Sequence, residues 1–154
     1  MTEHGHRTVR RAGVDEAEVV AGLWLRSRHA TVPANPAIVH TDDEVRGWFT
    51  DVVLPSREVW VVEVDDTVVG VMVLDGDDLD QLHVEPGWTG QGVGADLVAV
   101  AKAQRPAGLH LWTFQANTGA RRFYEREGFI AVRTTDGDNE EGEPDVQYRW
   151  SAPE

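Results

Sequence analysis

The stretch WTGQGVGADLV, residues 88–98, carries glycines at 90, 92 and 94 before it turns to Ala95, Asp96, Leu97 and Val98. Ordered glycine costs backbone entropy, so a run this dense marks a place where something must approach the main chain closely. Glycines that lead into a helix leave N–H groups free at the positive end of its dipole, which suits a phosphate or another anion. A nucleoside-triphosphate loop needs GxxxxGK[ST], and no lysine follows Gly94. A dinucleotide fingerprint, GxGxxG/A, is formally matched by Gly90, Gly92 and Ala95. Against it, Pro86 and Trp88 lengthen the turn, and Thr113, Phe114 and Gln115 stand where an acidic residue should end the next strand. A glycine-rich connection with no ligand is the remaining reading.

Other chemistry-bearing residues flank this loop. Asp80 and His83 lie on the strand before it. Strand alternation puts Asp80 on one face with Leu82 and Val84, and His83 on the other. His83 has an ordinary pKa near ~6.5, suited to proton transfer at neutral pH. The chain contains no cysteine, so disulfides, thiolate metal sites and a Cys nucleophile are excluded. No Asp/Glu/His spacing argues for a metal, and His4 and His6 near the terminus are read as flexible rather than ligating.

The formal net charge is −13, from 27 acidic and 14 basic residues. That balance argues against a general nucleic-acid binder; taken alone it reads as solubility, and its field would also suit a cationic partner such as an amine. MTEHGHRTVRR has no apolar signal-peptide core, and no apolar run approaches the ~20 residues of a membrane span. The expected compartment is the cytoplasm. With 154 residues and no linker or repeat, the chain is expected to form a single domain over 1–154.

The elements that must carry these residues follow from periodicity. Residues 6–11 read as an edge strand. Asp15 opens a helix with Ala17, Val20, Leu23 and Trp24 on one face. HATVPANPAIVH breaks it into a loop. Thr41 and Glu44 form a capping box for a second helix with Val45, Trp48, Phe49 and Val52 inward, ended by Pro55. EVWVVEV (58–64) and TVVGVMVL (67–74) form a hairpin around Asp65-Asp66. Strand 79–84 leads through the glycine loop to a helix with Val93, Leu97, Val100 and Ala101 inward. Strand 109–114 follows, then a short helix capped by Asn117 with Ala120, Phe123 and Tyr124 on one side, and Gly128 ends it. FIAVRT (129–134) and DVQYRW (145–150) are the last strands, joined by an acidic loop. The order predicts a mixed α/β (α+β) layer fold with a mostly antiparallel sheet and one right-handed parallel crossover between 79 and 114.

LHVEPGWTGQGVGADLV followed by LWTFQANTGARRFYEREGF resembles the GCN5-related N-acetyltransferase (GNAT) superfamily. The family pattern is a strand near Val-x-Pro, then [QR]-x-x-G-x-[GA] opening a helix. About 25 residues later come a strand, Asn-x-x-Ala-x-x-Phe-Tyr and a helix ending in Gly-Phe. Asn117, Ala120, Phe123, Tyr124, Gly128 and Phe129 match the second part, and the order of elements agrees from residue 6 to 150. One position departs: the family's Gln or Arg is Thr89 here, and Gln91 lies two positions on.

The resemblance implies a sheet of about seven strands flanked by about four helices, splayed between strands 4 and 5, with acetyl-CoA in the gap. Leu82, His83 and Val84 would border the pantetheine arm, and the Val84 N–H would donate to the developing oxyanion. The N–H groups of Thr89, Gly90, Gln91, Gly92, Val93, Gly94 and Ala95 would hold the pyrophosphate. Asn117 would contact the pantetheine or thioester region. Tyr124 would bind the cofactor and protonate the leaving thiolate. Asp80 is the candidate general base, with ordered water the other route. The 29–40 loop, the start of the second helix and the 134–145 loop would wall the acceptor side. Trp24, Arg28, His29 and His40 come from the first region, and Glu140, Glu141 and Asp145 are candidate cation-binding carboxylates. The implied activity is direct acetyl transfer to a primary amine on a small molecule or peptide. The alternative is a non-catalytic acyl-CoA sensor, and homodimers are common in the family.

Overall fold

The computed structural model describes residues 6–32 and 36–153. His4 and the centre of the 29–40 loop lie outside the described residues. Strand β1 (Arg7–Arg11) is followed by helix α1 (Ala17–Ala30), then α2 (Asp42–Trp48) and the short α3 (Leu54–Ser56). Strands β2 (Glu58–Val64), β3 (Thr67–Asp75) and β4 (Asp78–Val84) come next. Helix α4 (Val93–Gln104), β5 (Leu109–Phe114), α5 (Thr118–Arg126), β6 (Ile130–Thr135) and β7 (Asp145–Trp150) complete the order.

The seven strands form one sheet in the order β1-β2-β3-β4-β5-β7-β6. Every neighbouring pair is antiparallel except β4 with β5. Alternation along β2 and β3 splits the core into two layers. Val59, Val61, Val71 and Val73 face α1 and the α2 segment, where Val20, Leu23, Trp24 and Phe49 meet them. Val62, Val64, Met72 and Leu74 face the other way, against Val93, Leu97, Val98 and Ala101 of α4 and Tyr124 of α5. The β2–β3 hairpin turns on Asp65 and Asp66, with φ of 48° and 67°. Both values suit a primed turn, and Asp tolerates them better than most side chains.

The second helix departs from its expected course. Thr41 and Glu44 cap it reciprocally as their spacing predicts. Residues Phe49–Val53 then form a π turn, with the Leu54 N–H bonded back to the Phe49 carbonyl. One extra residue per turn rotates the apolar face, so Val53 is buried while Val52 is 39% exposed. The chain stays helical to Ser56 rather than ending at Pro55, which stands at the start of α3 where a proline is tolerated.

An ionic cluster ties β1 to the start of α1. Arg10 bonds both Glu16 carboxylate oxygens, at 2.8 and 2.9 Å, and reaches Glu63 at 3.4 Å. The Arg10 guanidinium holds the Glu16 carboxyl down at about 2. Its folded value lies below the unfolded one, so the stabilisation is present above pH ~4.5 and is lost as pH falls through about 2. Solvent screening of the partly exposed pair leaves about 1–2 kcal/mol. Glu16→Gln is therefore expected to lower the thermal midpoint at pH 7 by a few degrees and to have no effect near pH 2. Melting curves at the two pH values check this.

Candidate active site

Two structural features make the site. The first is the parting of β4 and β5, which pair at one position, Asp78 with His110. Beyond it, residues 79–83 of β4 and 112–114 of β5 line a cleft of about 510 Å³. Asn117, Ala120 and Tyr124 of the α5 segment close it from one side, and Thr135, Asp138 and Asn139 from another. The Glu85 N–H bonds to the Val69 carbonyl across the β3–β4 pair, and Val84 is paired with Gly70. Antiparallel alternation therefore turns the N–H and C=O groups of Leu82 and Val84 away from β3, towards the gap.

The second feature is the glycine loop. A single 3-10 turn, Pro86–Trp88, follows β4. Gly90 and Gly92 then take φ of 75° and 85°, and Gly92 caps α4. Side chains rarely adopt these angles, which explains both glycines. Gly94 answers to a different demand, because a Cβ there would lie 3.2 Å from the Phe123 ring of α5. The backbone N–H groups of residues 89–95 meet no protein acceptor among the described residues, whereas the Asp96 N–H bonds to the Gly92 carbonyl. Unpaired donors at a helix N-terminus form a cradle for an anion. Gly70 on β3 lets this helix end settle on the sheet, since a Cβ there would come within 2.5 Å of Val93. The side chains of Thr89 and Gln91 are exposed and donate to the Pro86 and Gly87 carbonyls.

Tyr124 is 8% exposed, its ring packed among Phe123, Phe129 and Tyr148. Its hydroxyl has no hydrogen-bond partner among the described residues. Burial raises its pKa well above the ordinary tyrosine value, so the proton is held throughout the physiological range. Asn117 spends its Oδ1 on the Ala120 N–H, starting α5 and thereby aiming Tyr124 at the cleft.

Asp80 is not where alternation predicts. A register irregularity opposite Val73 and Leu74 makes Asp80 the extra residue of β4. Leu79 and Leu82 stay on the α4 side, while Asp80 turns to Arg57, 2.9 Å away. It shares no face with Leu82 and Val84, because a bulge resets the two-residue period. Burial raises the Asp80 pKa, and the Arg57 charge opposes that rise.

His83 lies on the face opposite Leu82 and Val84, as alternation predicts, and meets α1 there, where burial pushes its pKa down to about 3. Its Nδ1 lies 3.0 Å from Ser27 Oγ and its Nε2 lies 3.1 Å from Gln81 Oε1. Gln81 Oε1 also accepts from the Trp24 indole at 2.9 Å. Since that oxygen only accepts, the Nε2–H tautomer satisfies the network, and His83 is a neutral structural link rather than a base.

A second cavity of about 600 Å³ lies on the α1–α2 side. Trp24, Arg28, His40 and Glu140 line it as the sequence suggests, together with Ile38, Val39, Glu44, Trp48, Arg57 and Glu141. The His40–Glu140 ion pair, 2.5 Å, joins two loops at its rim, and Glu140 raises the His40 pKa. Arg28 is 8% exposed, stacks 5.2 Å from the Trp24 ring and donates to the Pro36 carbonyl. His29 does not line the cavity; it is exposed, 3.8 Å from Asp42. It follows Arg28 on α1, and the next helical position points about 100° away. Asp145 borders the cleft, but its carboxylate is taken by Thr135 Oγ1 and Asn139 Nδ2. Trp48, Arg57 and Gln81 were missed from the sequence, since a helical Trp period and a lone Arg signal only core and surface. The two cavities share Arg28, Asp80, Gln81 and Glu141.

A split mixed sheet with a glycine cradle on the helix between the parted strands is the arrangement the GNAT resemblance implies. Residues 55–131 match the family model described as an acetyltransferase (GNAT) domain. Over 134 residues the chain is 32% identical to the peptidyl-lysine N-acetyltransferase YjaB of Salmonella typhimurium, covering 85% of this chain and 88% of that protein. The solution structure of apo-form YjaB from Escherichia coli superposes with a TM-score of 0.77 at 27% identity, over 96% of this chain and 99% of that one. The structure of yncA from Salmonella typhimurium with its cofactor acetyl-CoA shares the fold, with a TM-score of 0.70 at 17% identity over 97% and 95% of the two chains. The chain belongs to the GNAT acetyltransferase family. It is an N-acetyltransferase that takes its acetyl group from acetyl-CoA.

Proposed function

We propose that the acceptor is the side-chain amine of a lysine in a peptide or protein, acetylated directly without an acyl-enzyme. The observation that carries this reading is the meeting of the two cavities at Asp80 and Gln81 on β4. A donor in the cleft and an amine in the second cavity reach one another there. Trp24 and Trp48 wall the second cavity, while Glu44, Glu140 and Glu141 lie around it. An aromatic slot with carboxylates suits a long aliphatic stem carrying a cation. The YjaB relatives, named for peptidyl-lysine, support the same substrate class.

Bound in the cleft, acetyl-CoA supplies an acetyl group activated as a thioester. The residues present fit it: the unpaired N–H groups of 89–95 suit a pyrophosphate, and the outward backbone of Leu82 and Val84 suits an extended arm. Asp80 accepts the amine proton, directly or through water. The Val84 N–H offers a donor to developing oxyanion charge, and Tyr124 supplies a proton to the departing sulfur. We read the whole chain as one domain acting in the cytoplasm; among the described residues no helix is long and apolar enough to cross a membrane. A homodimer is the family expectation, which sedimentation tests.

Incubation with acetyl-CoA and a lysine peptide whose N-terminus is blocked tests the acceptor class. Mass spectrometry is expected to find one acetyl group on the lysine side chain. Turnover confined to small free amines would overturn the peptidyl assignment. Tight CoA binding without turnover on any amine would identify a sensor instead.

A further inference from the structure

We propose that Arg7, on the edge strand farthest from the cleft-side strands, is a positioning residue for the phosphate end of the donor. It holds the glycine loop in its binding shape and brings to that loop the positive charge that Thr89 does not. The inference rests on reading residues 89–95 as the phosphate cradle.

Arg7 spans two partners. Its Nη1 donates to the Gln91 carbonyl at 2.9 Å, and its Nε pairs with Asp96 Oδ2 at 3.1 Å. Its Nη2 lies 3.6 Å from where a Cβ on Gly92 would stand. The guanidinium thus touches the segment whose N–H groups are unpaired at Gln91, and the residue that follows it, Asp96. Two consequences follow. With its carbonyl held by Arg7, the Gln91–Gly92 peptide keeps its N–H on the opposite side, because the two point in opposed directions across a trans peptide. Asp96, in the first turn of α4, also carries a negative charge where the cofactor's phosphates must come. The Arg7 cation offsets that charge locally, on a protein whose net charge is −13. Thr89, at the motif position, and Gln91, two residues on, bond instead to their own loop.

Arg7 is also suited to the task by type. A guanidinium presents several donors in a fixed fork and can hold a carbonyl and a carboxylate at once, which a lysine ammonium does less well. Its side chain is 35% exposed, so it is not a core residue whose loss would collapse the fold.

The test is binding rather than turnover. Affinities for CoA and for pantetheine, which lacks the pyrophosphate, are measured by titration on the wild type, Arg7→Met, Arg7→Lys and Gly92→Glu. Arg7→Met is expected to weaken CoA roughly tenfold, the scale of a lost charged hydrogen bond. Pantetheine affinity is expected to stay unchanged. Arg7→Lys, which keeps the charge, is expected to fall between them and serves alone if the methionine variant does not fold. Adding Thr89→Arg to Arg7→Met is expected to restore part of the CoA affinity. Unchanged CoA affinity in both Arg7 variants, or an equal loss for pantetheine, would overturn the proposal. Loss with Gly92→Glu but not with either Arg7 variant would sink Arg7 alone; no loss with Gly92→Glu would sink the cradle itself.

Discussion

Replacing Tyr124 by phenylalanine is expected to lower kcat about 100-fold or more and to leave acetyl-CoA binding unchanged. The magnitude is that of a positioned proton donor. The Tyr124 ring carries the packing against Phe123, Phe129 and Tyr148, and phenylalanine keeps it. Only the hydroxyl is lost, and it bonds to nothing among the described residues. Stability should therefore hold or rise slightly. Because burial raises the Tyr124 pKa above its ordinary value, the group stays protonated up to and beyond the usual tyrosine range. The wild-type rate should accordingly show no loss from this residue as pH rises through 10. An unchanged kcat in the variant would remove Tyr124 from the proton path and leave it a core aromatic.

Gly92→Glu is expected to reduce CoA affinity by about 100-fold or more while the protein stays folded. Three effects add. Gly92 sits at φ 85°, where a side chain costs about 1–2 kcal/mol of local strain. The change puts a carboxylate at the mouth of the cradle, against an anionic ligand. The carboxylate also competes with Gln91 and Asp96 for the Arg7 guanidinium, which lies 3.6 Å from the Cβ position. Gly90→Ala, at φ 75° with open space around it, should show the strain alone and a much smaller loss. Titration of both variants with CoA separates the effects of charge from backbone strain.

The order of elements was legible because each of its signals is local. Thr41 and Glu44 name a helix start, Asp65-Asp66 a hairpin, and Asn117 with Gly128 the two ends of α5. The order, with the parallel unit between β4 and β5, then narrows the fold sharply. What escaped were effects of one inserted residue. The π turn at Phe49–Val53 moved burial from Val52 to Val53, and the bulge at Asp80 moved a carboxylate from one face to the other. Periodicity assumes a constant step, and both insertions break it with no distinctive residue to announce them.

The site was legible in a similar way. The glycine loop stood out because a run of glycines is costly, whereas Asn117 and Tyr124 were singled out as site residues by the resemblance, within Asn-x-x-Ala-x-x-Phe-Tyr. Yet the glycines have separate causes: Gly90 and Gly92 answer to dihedral angles, and Gly94 to the Phe123 ring. Arg57, Trp48 and Arg7 were not found. Arg57 acts on Asp80 over 23 positions and Arg7 on Gln91 over 84, which no local pattern carries, and Trp48 at helical spacing reads only as core.

The central claim is that one chain holds acetyl-CoA between the parted strands β4 and β5 and on the glycine loop. Backbone amide shifts recorded with and without CoA test it most directly. The account predicts large changes at 82–84, 89–95 and 117–124, and small ones on β6, on α1 and on β1 beyond Arg7. Changes centred elsewhere, or a glycine loop left unmoved by saturating CoA, would contradict it.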